Sequence, residues 1–162
     1  MANPLSMTAT RPLIHLPDAD ATMALGVNLA RHLRAGDTVL LVGDLGMGKT
    51  TLARGLIAAL CGTDDIPSPT YTLIQSYETA NGVGLLHADL YRVEDESELD
   101  ELGLEDAFDG MIVLVEWPGI LGKRTPDDRL QIHFEAHETG RIARMIGHGD
   151  WEDRLVGLDT NI

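Results

Sequence analysis

Gly43, Gly48, Lys49 and Thr50 stand in the spacing Gly-x-x-x-x-Gly-Lys-Thr, with another glycine at position 46. Those residue types in that order suit the holding of a polyphosphate. Glycines let a backbone curl with no Cβ in the way, so that successive N–H groups point inward at phosphate oxygens. Lys49 brings a mobile positive charge to the β- and γ-phosphates, and Thr50 a hydroxyl that Mg²⁺ takes as a ligand. The flanks agree. Residues 39–42 are a short aliphatic run, and Leu52, Leu56, Ile57 and Leu60 recur at helical spacing after the glycines. Strand, glycine loop and helix together aim unpaired N–H groups and the positive end of a helix dipole at the anion.

Binding alone does no chemistry. Hydrolysis or transfer needs a carboxylate near the metal and a group that orients the attacking oxygen. Two acids stand at the ends of apolar runs: Glu116 after residues 112–115 and Asp89 after residues 85–88. The expectation is that Glu116 joins Thr50 in the Mg²⁺ shell while Asp89 holds a metal-bound or attacking water; the two roles are exchangeable. Thr70 and Thr72, in a stiff loop between Pro69 and the next strand, are candidates for sensing the γ-phosphate. Trp117 either stacks on a ligand or packs in the core. Arg92 is a cation near the site or a plain surface arginine. His87 reads as structural, satisfying a local hydrogen bond, because no second metal ligand pairs with it at useful spacing.

The elements that must position these residues fit one domain. The chain has 162 residues, 44% of them hydrophobic and 23% charged, as in an ordinary globular protein. Its first 10 residues are small and polar and predict disorder, leaving 11–162 as the folded unit. Residues 13–16 predict a strand. Asp18 or Asp20 caps a helix over 21–34, whose face carries Met23, Val27, Ala30 and Leu33, widened by Leu25 and Leu29. Asn81-Gly82 predicts a hairpin of residues 73–77 with 83–88. The acidic stretch 93–110 predicts one or two short helices broken at Gly103. Residues 111–115 predict a buried central strand. Residues 130–134 and 141–146 predict a second hairpin, at the sheet edge or on a flap. Asp150 is placed to cap a last helix with Trp151, Leu155 and Leu158 on one side.

Charge narrows the partners. Twelve Lys and Arg oppose 26 Asp and Glu, a formal −14. A domain that grips nucleic acid on its own shows a basic face, so no direct tRNA binding is expected and a protein partner is easier to accept. No apolar run approaches the ~20 residues that span a bilayer, so no membrane role is expected. Cys61 is the only cysteine, and the start lacks the pattern of a signal peptide. A cytoplasmic location is the expectation.

In order and spacing, several segments resemble the TsaE (YjeE) family of tRNA threonylcarbamoyladenosine biosynthesis. They are Ala21-Thr22 with Leu25-Gly26, then residues 43–51, Ser68-Pro69-Thr70-Tyr71-Thr72-Leu73, His87-Ala88-Asp89-Leu90-Tyr91-Arg92, Glu101-Leu102-Gly103-Leu104 and Glu116-Trp117-Pro118. The resemblance implies an α/β fold, three-layered and P-loop NTPase-like, with a mixed, mostly parallel sheet flanked by helices and antiparallel hairpin additions. It implies ATP and Mg²⁺ as cofactors, slow hydrolysis, and work with TsaB and TsaD, the latter the transferase, in resetting that complex. It implies Lys49, Asp89 and Glu116 as catalytic residues and Thr50, Glu116 and Asp89 around the metal. The nucleotide contacts it implies are Asp44, Leu45, Gly46, Met47, Gly48, Lys49, Thr50, Thr51, Thr70 and Trp117, with Asp18, Thr22 and Arg141 beside them. One departure is Gly119, which stands where family members often carry an acid. A small-molecule kinase is the alternative, with Lys123-Arg124 as a thin lid; a GTPase lacks its Asn-Lys-x-Asp segment here.

Overall fold

Around the aliphatic strand ahead of the glycine loop, the computed structural model builds a single sheet. Residues 8–10, 13–63, 66 and 73–158 are described; Thr70 and Thr72 lie outside them. In chain order the elements are β1 Thr8–Thr10, β2 Ile14–Leu16, α1 Ala19–Ala30, β3 Thr38–Val42 and α2 Lys49–Cys61. The hairpin β4 Ile74–Glu78 and β5 Gly84–Asp89 follows, then α3 Ser97–Asp100, α4 Leu104–Gly110 and β6 Ile112–Glu116. A 3-10 segment Pro118–Arg124, β7 Arg129–His137, β8 Gly140–His148 and α5 Trp151–Val156 complete the chain.

The sheet runs β1-β8-β7-β3-β6-β5-β4, with β2 also on β8. Its centre, β7-β3-β6-β5, is parallel, and antiparallel strands extend it on both sides. Leu41 and Leu114 look toward α1 and α2, whereas Leu40, Val113 and Val115 look toward α3, α4 and the 3-10 segment. Two apolar layers thus enclose β3 and β6, and such strands read as unbroken hydrophobic runs.

Two sequence expectations need correction. Thr8–Thr10, expected to be disordered, pair with β8 through Thr8↔His148 to Thr10↔Ile146. The β7–β8 hairpin is neither an edge nor a flap. β7 lies beside β3, in register Val39↔Leu130 to Val42↔His133, and β8 carries β1 and β2 on its far side. Leu130, Ile132 and Phe134 alternate inward and are buried in the core beside Leu41. The alternation of an inner antiparallel strand equals that of an edge strand, so the pattern does not tell them apart.

The first helix also differs. Asp18 caps it, its carboxylate accepting the Ala21 N–H at 2.8 Å. It ends at Ala30 rather than at Arg34, where Arg31 and His32 N–H groups turn back to Asn28 and Leu29 carbonyls. Its buried residues are Thr22, Leu25, Gly26, Leu29 and Ala30, while Met23 and Val27 are 38% and 37% exposed. The reason is a close crossing of α1 and α2 through reciprocal glycines. A methyl group on Gly26 would run into the Leu52 carbonyl, and one on Gly55 into the Met23 carbonyl. Backbone contact at the two glycines therefore decides which face of α1 turns inward. Gly55→Ala is expected to cost about 1–3 kcal/mol through overpacking, a melting temperature lower by about 5 °C, read by thermal denaturation.

The last helix is tied to the start of β3. Arg154 donates to both carboxylate oxygens of Asp37, at 2.7 and 2.8 Å, and to the His32 carbonyl at 2.7 Å. Its guanidinium also lies 3.8 Å from the Trp151 ring. Asp150, expected from sequence to cap this helix, does not do so through its side chain; its carboxylate pairs instead with Arg154 and Arg34. The Asp128 carboxylate takes the Asp150 N–H, at 2.8 Å.

Candidate functional site

The glycine loop joins the end of β3 to the start of α2. Gly46 and Gly48 adopt φ of 78° and 108°, which only glycine takes at little cost. At Gly48 a Cβ would also press on Thr22 Cγ2, 3.3 Å away. Among the described residues no side chain caps α2. Its first helical bond runs from Leu52 N–H to the Gly48 carbonyl, so the N–H groups of Lys49, Thr50 and Thr51 have no acceptor within the helix. A helix start left open in this way attracts anions.

Lys49 is 4% exposed. Its ammonium donates to the Gly43 and Asp44 carbonyls and lies 3.7 Å from the centre of the Trp117 ring. Burial holds its pKa below the ordinary lysine value, and the carboxylates of Glu116, Asp89 and Asp44 push back. Trp117 is held at φ 57°, the only non-glycine residue with positive φ among the described residues. That turn carries the chain out of β6 into Pro118 and lays the indole over Lys49. Tyr91 packs against the same indole, with 4.9 Å between ring centres.

The acids converge as the sequence suggests. β5 and β6 are parallel neighbours, and Asp89 and Glu116 are register partners. Both point to the side where α2 begins. Glu116 is 2% exposed, and its Oε1 accepts the Thr50 hydroxyl at 2.9 Å. Asp89 accepts the Tyr91 N–H at 3.0 Å. Of the two, Glu116 is the acid that touches Thr50. With Leu45, Gly46, Gly48, Lys49, Thr51, Trp117 and Arg92 they line a cavity of about 390 Å³. Asp18, Thr22, Met47, Thr51 and Arg141 line a second recess of about 190 Å³ behind the same loop. Arg141 donates to the Gly46 carbonyl at 3.2 Å, and Thr22 to the Asp18 carbonyl at 3.3 Å. Asp44 faces a third cavity, with Gly43 and Phe134.

Two contacts escaped the sequence reading. His87 is fully buried with its Nε2 2.7 Å from Glu116 Oε2. It stands two residues before Asp89 on β5, so both side chains leave the same face, and that period was the available signal. Arg124, the thin lid candidate, is engaged elsewhere. It pairs with Asp100 at 2.9 Å, Glu105 at 3.2 Å and Glu96 at 3.3 Å, and so binds the acidic stretch to the 3-10 segment.

Asp89 offers a test of site cost. Burial raises its carboxyl above the usual range, Glu116 adds to this, and the Tyr91 N–H opposes it. A carboxyl raised in the folded state destabilises the fold once ionised, so the penalty appears as pH rises through the folded pKa and vanishes in acid. Asp89→Asn keeps an acceptor for Tyr91 N–H. It is expected to melt higher than the parent near pH ~7, with the difference closing toward pH ~3. An equal melting temperature at both pH values would contradict this.

A glycine loop between strand and helix, facing carboxylates at the tips of two adjacent parallel strands, defines a P-loop-type α/β protein. The family model described as Threonylcarbamoyl adenosine biosynthesis protein TsaE matches residues 16–146. The chain belongs to the TsaE family of tRNA threonylcarbamoyladenosine biosynthesis. It is 37% identical over 136 residues to the TsaE protein of Rickettsia felis, covering 83% of this chain and 79% of that one. It is 43% identical over 115 residues to that of Bacillus subtilis, 70% of each chain, and 31% identical over 157 residues to that of Haemophilus influenzae, 91% and 96%. The crystal structure of Bacillus subtilis YdiB matches with a TM-score of 0.70 at 27% identity, over 93% of this chain and 92% of that one. Among the described residues no helix is long and apolar enough to cross a membrane.

Proposed function

We propose that this chain binds ATP with Mg²⁺ in the cavity over the glycine loop and hydrolyses it slowly. The cycle of binding and hydrolysis resets a TsaB–TsaD transferase complex, and the tRNA is held by that complex. The observation that carries the reading is the Thr50–Glu116 contact of 2.9 Å beside the buried Lys49. The donor set fits Mg²⁺, which prefers oxygen: a Thr50 hydroxyl and the Glu116 and Asp89 carboxylates. Among the described residues no three His, Cys, Asp or Glu side chains make a metal site of their own, and Mg²⁺ commonly completes its shell with substrate phosphates. When bound, the ion neutralises charge on the phosphates. Lys49 supplies the fixed cation of the chain itself. Asp89, anchored through Oδ1 by the Tyr91 N–H, keeps Oδ2 to orient the attacking water.

A net charge of −14 supports a protein partner rather than direct contact with tRNA. The engagement of Arg124 by three carboxylates takes from the kinase alternative the arginine that its lid needs. Phosphate release is the test, measured alone and with TsaB and TsaD over a range of mixing ratios. A change in rate on mixing is expected; an unchanged rate at every ratio would overturn the partner reading. Transfer of labelled γ-phosphate to a small acceptor would favour the kinase, and tighter binding of GTP than ATP the GTPase.

A further inference from the structure

We propose that His87 is the positioning residue of Glu116, a clamp that aims one carboxylate oxygen at Thr50. This rests on the reading of Glu116 as the acid beside the metal. His87 sits one layer beneath the site, on β5 between Leu85 and Asp89, opposite Leu114 of β6. Leu85 and Leu114 are core residues, so an aliphatic side chain would suit the slot. An imidazole stands there instead. Its Nδ1 is buried and has no partner among the described residues, which is a cost the fold bears without return from packing. The one polar contact the ring makes among the described residues is the 2.7 Å bond to Glu116 Oε2.

The role of Glu116 beside a metal ion requires an ionised carboxylate. An ionised carboxylate only accepts, so Nε2 carries the hydrogen and donates it. The geometry then divides the carboxylate in two. Oε2 faces His87, and Oε1 accepts the Thr50 hydroxyl at 2.9 Å. The last torsion of a glutamate is soft and roughly two-fold. Without a donor on Oε2 the group would swing, and Oε1 would face Thr50 only part of the time. A ligand held by a second hydrogen bond from behind is a known way of fixing such orientation. His87 touches neither nucleotide nor metal and acts through Glu116.

The experiment compares His87→Leu, which removes the donor, with His87→Gln, whose amide restores one near the Nε2 position. Wild-type protein is first shown to bind ATP more tightly with Mg²⁺ than without; failure there would sink the functional reading and not this inference. For His87→Leu, Mg²⁺-free ATP affinity is expected to stay within about twofold, while the tightening by Mg²⁺ and the turnover both fall about 10- to 100-fold. His87→Gln is expected to recover most of both. In nucleotide-free wild-type protein, NMR is expected to show a slowly exchanging His87 Nε2–H whose shift moves on Glu116→Gln. An unchanged Mg²⁺ effect in His87→Leu, or no recovery in His87→Gln, would overturn the clamp. If His87→Leu does not fold, the NMR signal decides: a rapidly exchanging proton, indifferent to Glu116→Gln, is the contrary result.

Discussion

Lys49→Ala is expected to weaken ATP binding by at least ~100-fold, the equivalent of about 3 kcal/mol. Two effects add. The first is the loss of a charged donor from a triphosphate. The second is the charge left behind. Lys49 is the cation against which Glu116, Asp89 and Asp44 are set. Remove it and the two carboxylates that line the cavity, Glu116 and Asp89, face an anionic ligand with no lysine between them. Low exposure makes both effects larger, since a lysine that is 4% exposed as a residue is screened by little water. Lys49→Met separates charge from packing, because it keeps a chain against the Trp117 ring, which the ammonium approaches to 3.7 Å. It is expected to melt near the parent and to bind ATP no better than Lys49→Ala. Calorimetric titration gives the answer directly. An affinity within a few-fold of wild type in either variant would show that the cavity does not hold the phosphates against Lys49.

The same stretch was the most legible part of the sequence, for a physical reason. From residue 39 to residue 60 the apolar period changes once, across three glycines, and nothing else in the chain competes with that reading. The strand Thr38–Val42 and the helix Lys49–Cys61 follow within a residue or two. The meeting of Thr50 with a strand-end acid was legible too. Glu116 is the first choice for that acid in the sequence, with Asp89 exchangeable. Strand order decides between them, by setting β6 next to β3 and β5 one strand further out, and strand order leaves no mark in local sequence. On α1 the sequence marks Leu25, Leu29 and Ala30 as inward, as they are, but also Met23 and Val27, which are not; the inward face is chosen by Gly26 and Gly55, and a glycine carries no hydrophobic signal. The place of the β7–β8 hairpin inside the sheet is not legible, because strand alternation reports a buried face and says nothing of neighbours. His87 reads from the sequence as satisfying a local bond; the bond it makes spans 29 residues to the acid of the site.

Glu116 carries the other large effect, and two substitutions are needed to separate its jobs. Its carboxylate is the acceptor for two groups, the Thr50 hydroxyl and the His87 Nε2–H. Glu116→Ala strands the fully buried His87 ring, at a cost of about 1–3 kcal/mol for a buried group left unpaired, whereas the part-buried Thr50 hydroxyl lines the cavity and can turn to water there. Glu116→Gln keeps a carbonyl oxygen for His87 and an amide that the Thr50 hydroxyl, by rotating, can accept from. Stability should therefore fall in Glu116→Ala and largely return in Glu116→Gln. Turnover should not return, because an amide carries no charge for a metal ion and is a poor Mg²⁺ ligand beside a carboxylate. Both variants are expected to retain ATP binding through Lys49 and the loop amides, and to lose Mg²⁺-dependent hydrolysis by about 10³-fold, in the range of one lost electrostatic group at an active site. Thermal melts, ATP titrations and phosphate release in parallel give the three readouts. Hydrolysis at the parental rate in Glu116→Gln would move the metal-side role to Asp89, its register partner. Failure of Glu116→Gln to recover the stability lost in Glu116→Ala would mean that the hydrogen bonds to His87 and Thr50 are not what holds this corner of the fold together.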